Sequence, residues 1–319
     1  DELPEEVGVK ILVTGGAGFI GSNLVDALLA DGHGVTVLDD LSSGYGENLA
    51  HLRGREGFRF LEGDVRDEAL LAQAARGQEA VFHLAASVGN KRSIDNPLTD
   101  ADINVLGTLK VLEAARAAGC RKVVFSSSAG IFGELKTLPI AEDHPVEPDS
   151  PYGCTKLCAE KLCLAYAKLY DLEAVALRYF NVYGPRQRFD AYGNVIPIFV
   201  FQILRGEPIT VFGDGEQTRD FVHVRDVVQA NVKAALSRGV SGAFNIASGT
   251  RITLNDLVDL LRETGLSPKV LSGPPRPGDV RHSLADLRQA RTLLGFEPRV
   301  DLREGLKEYV AWAREEAAR

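Results

Sequence analysis

The stretch Lys10-Ile11-Leu12-Val13-Thr14-Gly15-Gly16-Ala17-Gly18-Phe19-Ile20-Gly21 runs from an apolar, β-rich segment through a glycine turn into a helix start. Gly15, Gly18 and Gly21 fall three apart. Glycine at 15 gives the turn backbone conformations that a side chain resists. Gly18 lets the chain come close to a pyrophosphate, and Gly21 lets the new helix pack on the strand. The helix N-terminus then presents free N–H groups and the positive end of its dipole to phosphate. A glycine turn means little alone. Here a strand precedes it, a helix follows, and an acid closes the next strand. That acid is Asp39, 18 residues past Gly21. Its carboxylate can accept both hydroxyls of an adenosine ribose and would repel a 2′-phosphate. The first basic residue beyond it is Arg53, so the pattern predicts NAD rather than NADP.

On either side of this stretch, β-branched runs alternate with helical periodicity. Strands are expected over residues 9–14, 35–39, 58–62, 80–84, 122–126 and 173–179, and helices over 18–30, 103–118 and 151–170. Such alternation predicts an α/β chain, a Rossmann-type doubly wound parallel sheet with helices on both faces. After Asn181 glycine and proline become frequent. Short strands (209–212, 243–246) mix with helices (195–204, 225–235, 254–264), and an amphipathic helix closes the chain over 303–314. The division expected is a cofactor domain over 1–180 and a smaller C-terminal α/β substrate lobe over 181–319, with segments interleaved with the sheet.

The 319 residues carry 36 basic and 44 acidic side chains, a net charge of −8. No Lys/Arg-dense run suggests a nucleic-acid or membrane partner. No apolar run approaches the ~20 residues that span a bilayer. Residues 1–10 lack a signal-peptide core, so a cytoplasmic location is expected. Cys120, Cys154, Cys158 and Cys163 show no CxxC pairing, and the six histidines no HxxxH or HxH. The cysteines read as small buried thiols of a reducing compartment, and no metal site is expected.

Tyr152-Gly153-Cys154-Thr155-Lys156 sets Tyr and Lys at i and i+4, on one face of a helix. A free tyrosine, with a pKa of about 10, is a poor base. An ammonium and a positive nicotinamide both favour its phenolate. Val124-Phe125-Ser126-Ser127-Ser128 ends the fifth strand at the sheet's carboxyl edge, where ligands bind in such folds. Ser128 can relay a proton between substrate and Tyr152, while Ser127 reads as a strand-end cap. Asp64, after the third strand, either reaches the adenine edge or caps a helix over 68–75. Leu84, Ala85 and Ala86 end the fourth strand with a surface that backbone can bring close to the cofactor.

Together these motifs resemble the extended short-chain dehydrogenase/reductase family. Arg178-Tyr179-Phe180-Asn181-Val182-Tyr183-Gly184-Pro185, Arg219-Asp220-Phe221-Val222-His223-Val224 and Arg276-Pro277-Gly278-Asp279 are similar to its nucleotide-sugar 4-epimerase branch, the UDP-galactose/UDP-glucose type. The resemblance implies NAD contacts from Phe19, Ile20, Ser43, Gly44, Val65, Asn104, Ser126 and Tyr179. It implies that Asn181, Asn194 and Val195 meet the sugar, diphosphate and nucleoside, Thr210 and Phe212 the uracil, Arg219 and Arg276 the diphosphate, and Asp279 the ribose. Two guanidiniums suit two phosphates. Epimerases of this branch restricted to unacetylated sugars carry a bulky Tyr seven residues past that second Arg. Ser283 stands there, which leaves room for a 2-acetamido group.

The expected activity is therefore reversible C4 oxidation and reduction of a UDP-sugar, with UDP-GlcNAc/UDP-GalNAc accepted and UDP-Glc/UDP-Gal beside them. Rival readings are a UDP-glucuronic acid 4-epimerase, with Lys91 and Arg92 meeting the carboxylate, a nucleotide-sugar 4,6-dehydratase, and an NAD-sensing binding protein. Dehydratases of the family carry Thr-Asp-Glu after the fifth strand. Ser127-Ser128-Ala129 holds no acid, which disfavours elimination. Ala129-Gly130-Ile131-Phe132-Gly133 replaces the commoner Tyr-containing loop. The family implies a homodimer paired through the helices around 103–118 and 151–170.

Overall fold

The computed structural model describes residues 8–190, 193–275 and 280–318. The first half of the chain gives β1 (Lys10–Thr14), α1 (Phe19–Ala30), β2 (Gly34–Asp39), β3 (Phe58–Glu62), α2 (Glu68–Ala75), β4 (Ala80–His83), α3 (Asn90–Asp95), α4 (Pro97–Ala101), α5 (Thr108–Ala117), β5 (Lys122–Ser128), α6 (Pro151–Leu169) and β6 (Glu173–Tyr179). The second half gives β7 (Asn181–Tyr183), α7 (Val195–Leu204), β8 (Ile209–Phe212), β9 (Thr218–Arg219), β10 (Phe221–His223), α8 (Val224–Leu236), β11 (Gly242–Ile246), β12 (Ile252–Thr253), α9 (Leu254–Glu263), β13 (Val270–Gly273) and α10 (Leu302–Ala317).

Seven strands form one sheet in the order β11-β6-β5-β4-β1-β2-β3. The run from β3 to β5 is parallel throughout. Connections from β1 lead to β2 on one side, and β4 lies on the other, so the winding reverses at β1/β4. That switch point, at the carboxyl ends of the strands, is where such sheets bind ligands. The doubly wound Rossmann-type architecture expected from the sequence is the one observed.

Two compact units divide the chain. The first is drawn from Asp1–Ser127, Ser150–Leu177 and Val228–Ala243, the second from Ser128–Asp149, Arg178–Val227 and Phe244–Arg319. The first unit's core joins Leu12, Leu38, Val81, Val123 and Phe125 of the sheet to Val111 and Leu112 of α5 and to Ala159 and Cys163 of α6. The second unit's core joins Ile196 and Val200 of α7 to Leu257 and Leu261 of α9 and to Leu306 and Tyr309 of α10. Each helix contributes an apolar stripe at helical spacing, the pattern that fixed its place in the sequence.

Three local differences have physical reasons. The helix expected over 103–118 begins with a π turn, Asp102–Gly107, before α5. There Thr108 Oγ1 bonds back to the Asn104 carbonyl at 2.6 Å, and such widened turns gather at functional sites. The fifth strand runs on through Ser128, because Ser127 is buried within it and hydrogen-bonded there. Two of the four cysteines read as buried thiols are in fact exposed, Cys154 and Cys158, on the outward side of α6. Cys120 and Cys163 are buried, and burial raises both thiols, Cys120 to about 11. Among the described residues no helix is long and apolar enough to cross a membrane.

Candidate active site

Gly15 sits at φ +72°, and a Cβ there would lie 2.6 Å from the Ala85 N atom. A Cβ on Gly21 would lie 2.1 Å from the Gly15 carbonyl oxygen. The turn is thus closed against the end of β4 on one side and its own helix on the other. Gly18 takes the N-cap position of α1 without a capping side chain, leaving the helix amides to an anionic ligand. Phe19 and Ile20 form the half-buried first turn of that helix.

Asp39 ends β2 and is 7% exposed. Its Oδ2 accepts from Ala17 N and its Oδ1 from Leu41 N, both at 2.9 Å. Each oxygen keeps a lone pair for a ribose hydroxyl. Burial raises the Asp39 pKa, and the two backbone bonds oppose the rise. A Cβ on buried Gly44 would meet Asp39 Oδ1 at 2.9 Å, so the Ser43-Gly44 loop lies directly against the carboxylate. These cradles fit a dinucleotide. Asp39→Asn leaves one backbone N–H without its acceptor and removes the charge. We expect NAD affinity to fall roughly tenfold, since a bond to a charged group contributes about 1.5–3 kcal/mol; the discrimination against NADP should narrow in the same titrations.

Asp64 does not cap α2; the cap is Asp67, whose side chain accepts from Leu70 N. Asp64 instead forms a two-oxygen ion pair with Arg66, which holds its carboxyl below the usual range. Val65 is buried beneath Gly107. Leu84 N bonds to the Thr14 carbonyl at 3.1 Å, and Ala85 N to Thr14 Oγ1 at 3.3 Å, so the end of β4, continuing into Ala86, is tied to β1.

The helix that carries Tyr152 and Lys156, α6, is set by its own start. Ser150 caps α6, its Oγ accepting from Gly153 N at 3.1 Å, and Pro151 takes the first turn. Ser93 Oγ accepts from Tyr152 N at 3.0 Å. Four residues on, Lys156 is 2% exposed. Its Nζ donates to the Ser126 carbonyl at 2.6 Å and lies 4.8 Å from the Phe125 ring centroid. Burial lowers the Lys156 pKa to about 8, where the ammonium is still the main form at neutral pH.

Asn104, read as a cofactor contact, turns its side chain onto protein. Its Oδ1 accepts from Ser87 N at 2.8 Å, and its Nδ2 donates to Ser87 O and Thr155 Oγ1 at 3.0 and 3.1 Å. It therefore clips the loop after β4 to α6. The cap expected at Ser127 falls to its neighbour instead. Ser128 is the cap, its Oγ accepting from Gly130 N at 3.1 Å, while Ser127 donates to the fully buried Glu160 at 2.7 Å. Ser128 keeps its own hydroxyl proton to donate. Lys91 pairs with Asp95, and Arg92 Nη1 donates to the Val88 carbonyl. Sequence reading missed Ser93, Asp100, Glu160 and His83. Glu160 alone had a local signal, eight residues past Tyr152 on the same helical face.

In the second unit, Tyr179 is buried at the end of β6. Asn181 donates from Nδ2 to the Asp220 carbonyl at 3.1 Å. Asn194 stands at the N-cap of α7 without closing it by a side-chain bond, and Val195 begins that helix; the first amides there are offered to an anion. Thr210 and Phe212 share the half-exposed face of β8. A Cβ on Gly273 of β13 would press on both, at 2.9 and 2.8 Å, so only glycine leaves that face open. A cleft of about 430 Å³ is lined there by Phe212, Gly213, Gln217, Gly273 and Arg281. Arg219 Nη1 donates to the Thr218 and Val280 carbonyls. Ser283 is 8% exposed, its N–H on Thr218 O. Arg276 and Asp279 lie outside the described residues. A larger cleft, about 670 Å³, is lined by Asp256, Asp259, Glu263 and Asp301 and by none of the expected substrate residues. Arg299 and Arg303 also line it, so its charge is mixed.

Residues 11–247 match the sequence model of the NAD-dependent epimerase/dehydratase family. A UDP-glucose 4-epimerase of Mycolicibacterium smegmatis is 44% identical over 309 residues, 96% of this chain and 99% of that protein. Among solved structures, a UDP-glucose 4-epimerase with UDP-glucose from Thermotoga maritima superposes with a TM-score of 0.90 at 42% identity, covering 96% of this chain and 99% of the other. A UDP-N-acetylglucosamine 4-epimerase of Methanobrevibacter ruminantium, in complex with UDP-N-acetylmuramic acid, gives 0.92 at 38% identity, covering 97% and 99%.

Proposed function

The chain belongs to the NAD-dependent epimerase/dehydratase family, and from that premise we propose that it inverts C4 of a UDP-sugar and accepts the N-acetylated sugars. The observation that carries the reading is the buried Lys156 ammonium, held on the Ser126 carbonyl one helical turn from Tyr152. When bound, NAD supplies the acceptor and donor of hydride. Gly15, Gly18, Phe19, Ile20, Gly21, Asp39, Ser43, Gly44, Asp64, Val65, Leu84, Ala85, Ala86, Asn104, Ser126 and Tyr179 would hold it, Asn104 through the loop it clips.

Lys156 favours the phenolate of Tyr152. Tyr152 takes the proton of the sugar 4-hydroxyl, directly or through the Ser128 hydroxyl, as C4 becomes a ketone. The keto sugar turns about its diphosphate link and presents its other face, and Tyr152 returns the proton as C4 is reduced. Asn181, Asn194, Val195, Arg219 and Arg276 would hold the diphosphate and sugar, Thr210 and Phe212 the base, and Asp279 the ribose. Residues 127–129 hold no acid to drive water from C6, which supports epimerisation over dehydration. A homodimer is part of this reading; Leu98, Leu106 and Leu169 are exposed on and beside the helices that would pair.

The decisive assay incubates the protein separately with UDP-glucose, UDP-N-acetylglucosamine and UDP-glucuronic acid, without added reductant, and identifies products by NMR. The reading expects C4 epimers and no net NADH. A 4-keto-6-deoxy product, or NADH growing with product, overturns it. Ser283→Tyr tests the sugar preference. Filling that small site should lower kcat/KM for UDP-N-acetylglucosamine by roughly five- to 150-fold, because overpacking costs about 1–3 kcal/mol, while UDP-glucose is spared. Equal losses on both sugars contradict the gate.

A further inference from the structure

Behind Tyr152 and Lys156 lies a set of buried polar side chains that take no direct part in the proposed proton transfer. Asp100, in α4, is 1% exposed. Its Oδ2 accepts from Thr155 Oγ1 at 2.6 Å, and its Oδ1 has no hydrogen-bond partner among the described residues. A carboxylate so deeply buried, with one hydrogen bond, is stable as an anion only where a cation answers it. Thr155 immediately precedes Lys156, which is itself buried. We propose that Asp100 is a positioning residue of this enzyme: its carboxylate is the counter-charge that holds Lys156 as an ammonium, and through Thr155 it fixes the first turns of α6. The inference rests on the assignment of Tyr152 and Lys156 to proton transfer.

The other titratable groups around Lys156 make the assignment specific. His83 faces it from β4, and Tyr152, Glu160 and Cys163 share α6. Thr108 Oγ1 donates to the Asn104 carbonyl at 2.6 Å, so at 2.9 Å it accepts from His83 Nε2–H. Nδ1 is then the acceptor for Thr14 Oγ1 at 2.7 Å. His83 is thereby fixed as a neutral ring, and burial with the nearby ammonium pushes its pKa to about 3. Burial keeps the Cys163 thiol neutral. Glu160 is engaged by Ser127 Oγ. Against the burial that pulls Lys156 down, Asp100 exerts the largest upward pull.

Asp100→Asn keeps the shape and an acceptor for Thr155 but removes the charge. In the holoenzyme we expect the alkaline limb of the kcat–pH profile to move down by about one unit, the low end of what an adjacent opposite charge does. That is roughly a tenfold loss of kcat above the limb, with KM and kcat near pH 6.5 within about twofold. The Lys156 Nζ resonance, assigned with Lys156→Met, should titrate lower by the same amount. Thr155→Val should move both readouts in the same direction, because Asp100 loses the donor on Oδ2, and Thr155→Ser should restore them. An unmoved limb and an unmoved Nζ titration in Asp100→Asn overturn the inference, whether activity is kept or lost evenly across pH. If Tyr152→Phe still turns over, the proton-transfer reading fails, and the Nζ titration still reports on the Asp100–Lys156 pair.

Discussion

Tyr152→Phe is expected to lower kcat for UDP-sugar epimerisation by about three orders of magnitude, with bound NAD and thermal stability nearly unchanged. The size follows from general acid–base catalysis, which contributes typically 10²–10⁴-fold. The specificity follows from the local structure. Tyr152 lies in the first turn of α6, where Ser150 caps the helix and Ser93 holds the Tyr152 amide. Both bonds are made by backbone amides of the first turn, so phenylalanine keeps that turn in place. The glycine turn and Asp39 are on other elements. The loss should therefore appear in kcat by NMR-monitored turnover, with NAD released on denaturation matching wild type. Near-normal turnover would remove Tyr152 from proton transfer and with it the reaction proposed. Loss of NAD together with activity would instead make the substitution structural.

How much of this was legible in the chain depends on the reach of each interaction. The glycine turn, Asp39 and the Tyr152/Lys156 pair are local patterns, each written within one strand–turn–helix or one helical turn. The sheet followed from short, largely buried runs, residues 11–13 in β1, 35–38 in β2 and 123–125 in β5, set between helical patterns. The buried network was not legible. Thr14 meets His83 across 69 residues, and Asn104 meets Thr155 across 51. No period in the sequence encodes such meetings; they exist only once the sheet order does. Strands of two to four residues, such as β9, β12 and β13, are too short to show alternation. The cap at Ser128 rather than Ser127 has the same cause. Only the pleat, with successive side chains on opposite faces, sends one hydroxyl inward to Glu160 and leaves the other to cap the following turn.

Gly15→Ala puts a methyl on the first glycine of the turn and is expected to cost both NAD binding and stability. At φ +72° an L-residue costs roughly 1–2 kcal/mol. The added Cβ would also stand 2.6 Å from Ala85 N and 2.8 Å from the Leu84 carbonyl carbon. Those atoms cannot retreat freely, because Leu84 and Ala85 are hydrogen-bonded back to Thr14, the residue before the glycine. Either the turn opens or the end of β4 moves. Both re-aim the amides at the start of α1 away from a bound pyrophosphate. Together the two terms reach about 3 kcal/mol or more, enough to weaken NAD at least a hundredfold and to lower Tm by several degrees. Gly18→Ala is the control. Its φ is −75°, and its Cβ would meet only the Gly15 carbonyl oxygen, at 3.3 Å. The methyl asks only a small shift of that oxygen, so Tm should nearly hold, while the role proposed for Gly18 predicts that NAD still weakens. Calorimetric NAD titration and thermal melts of the two variants separate a turn closed for packing from a turn shaped for a phosphate. If Gly18→Ala binds NAD like wild type, the pyrophosphate does not approach Gly18, and the role assigned to the middle glycine fails.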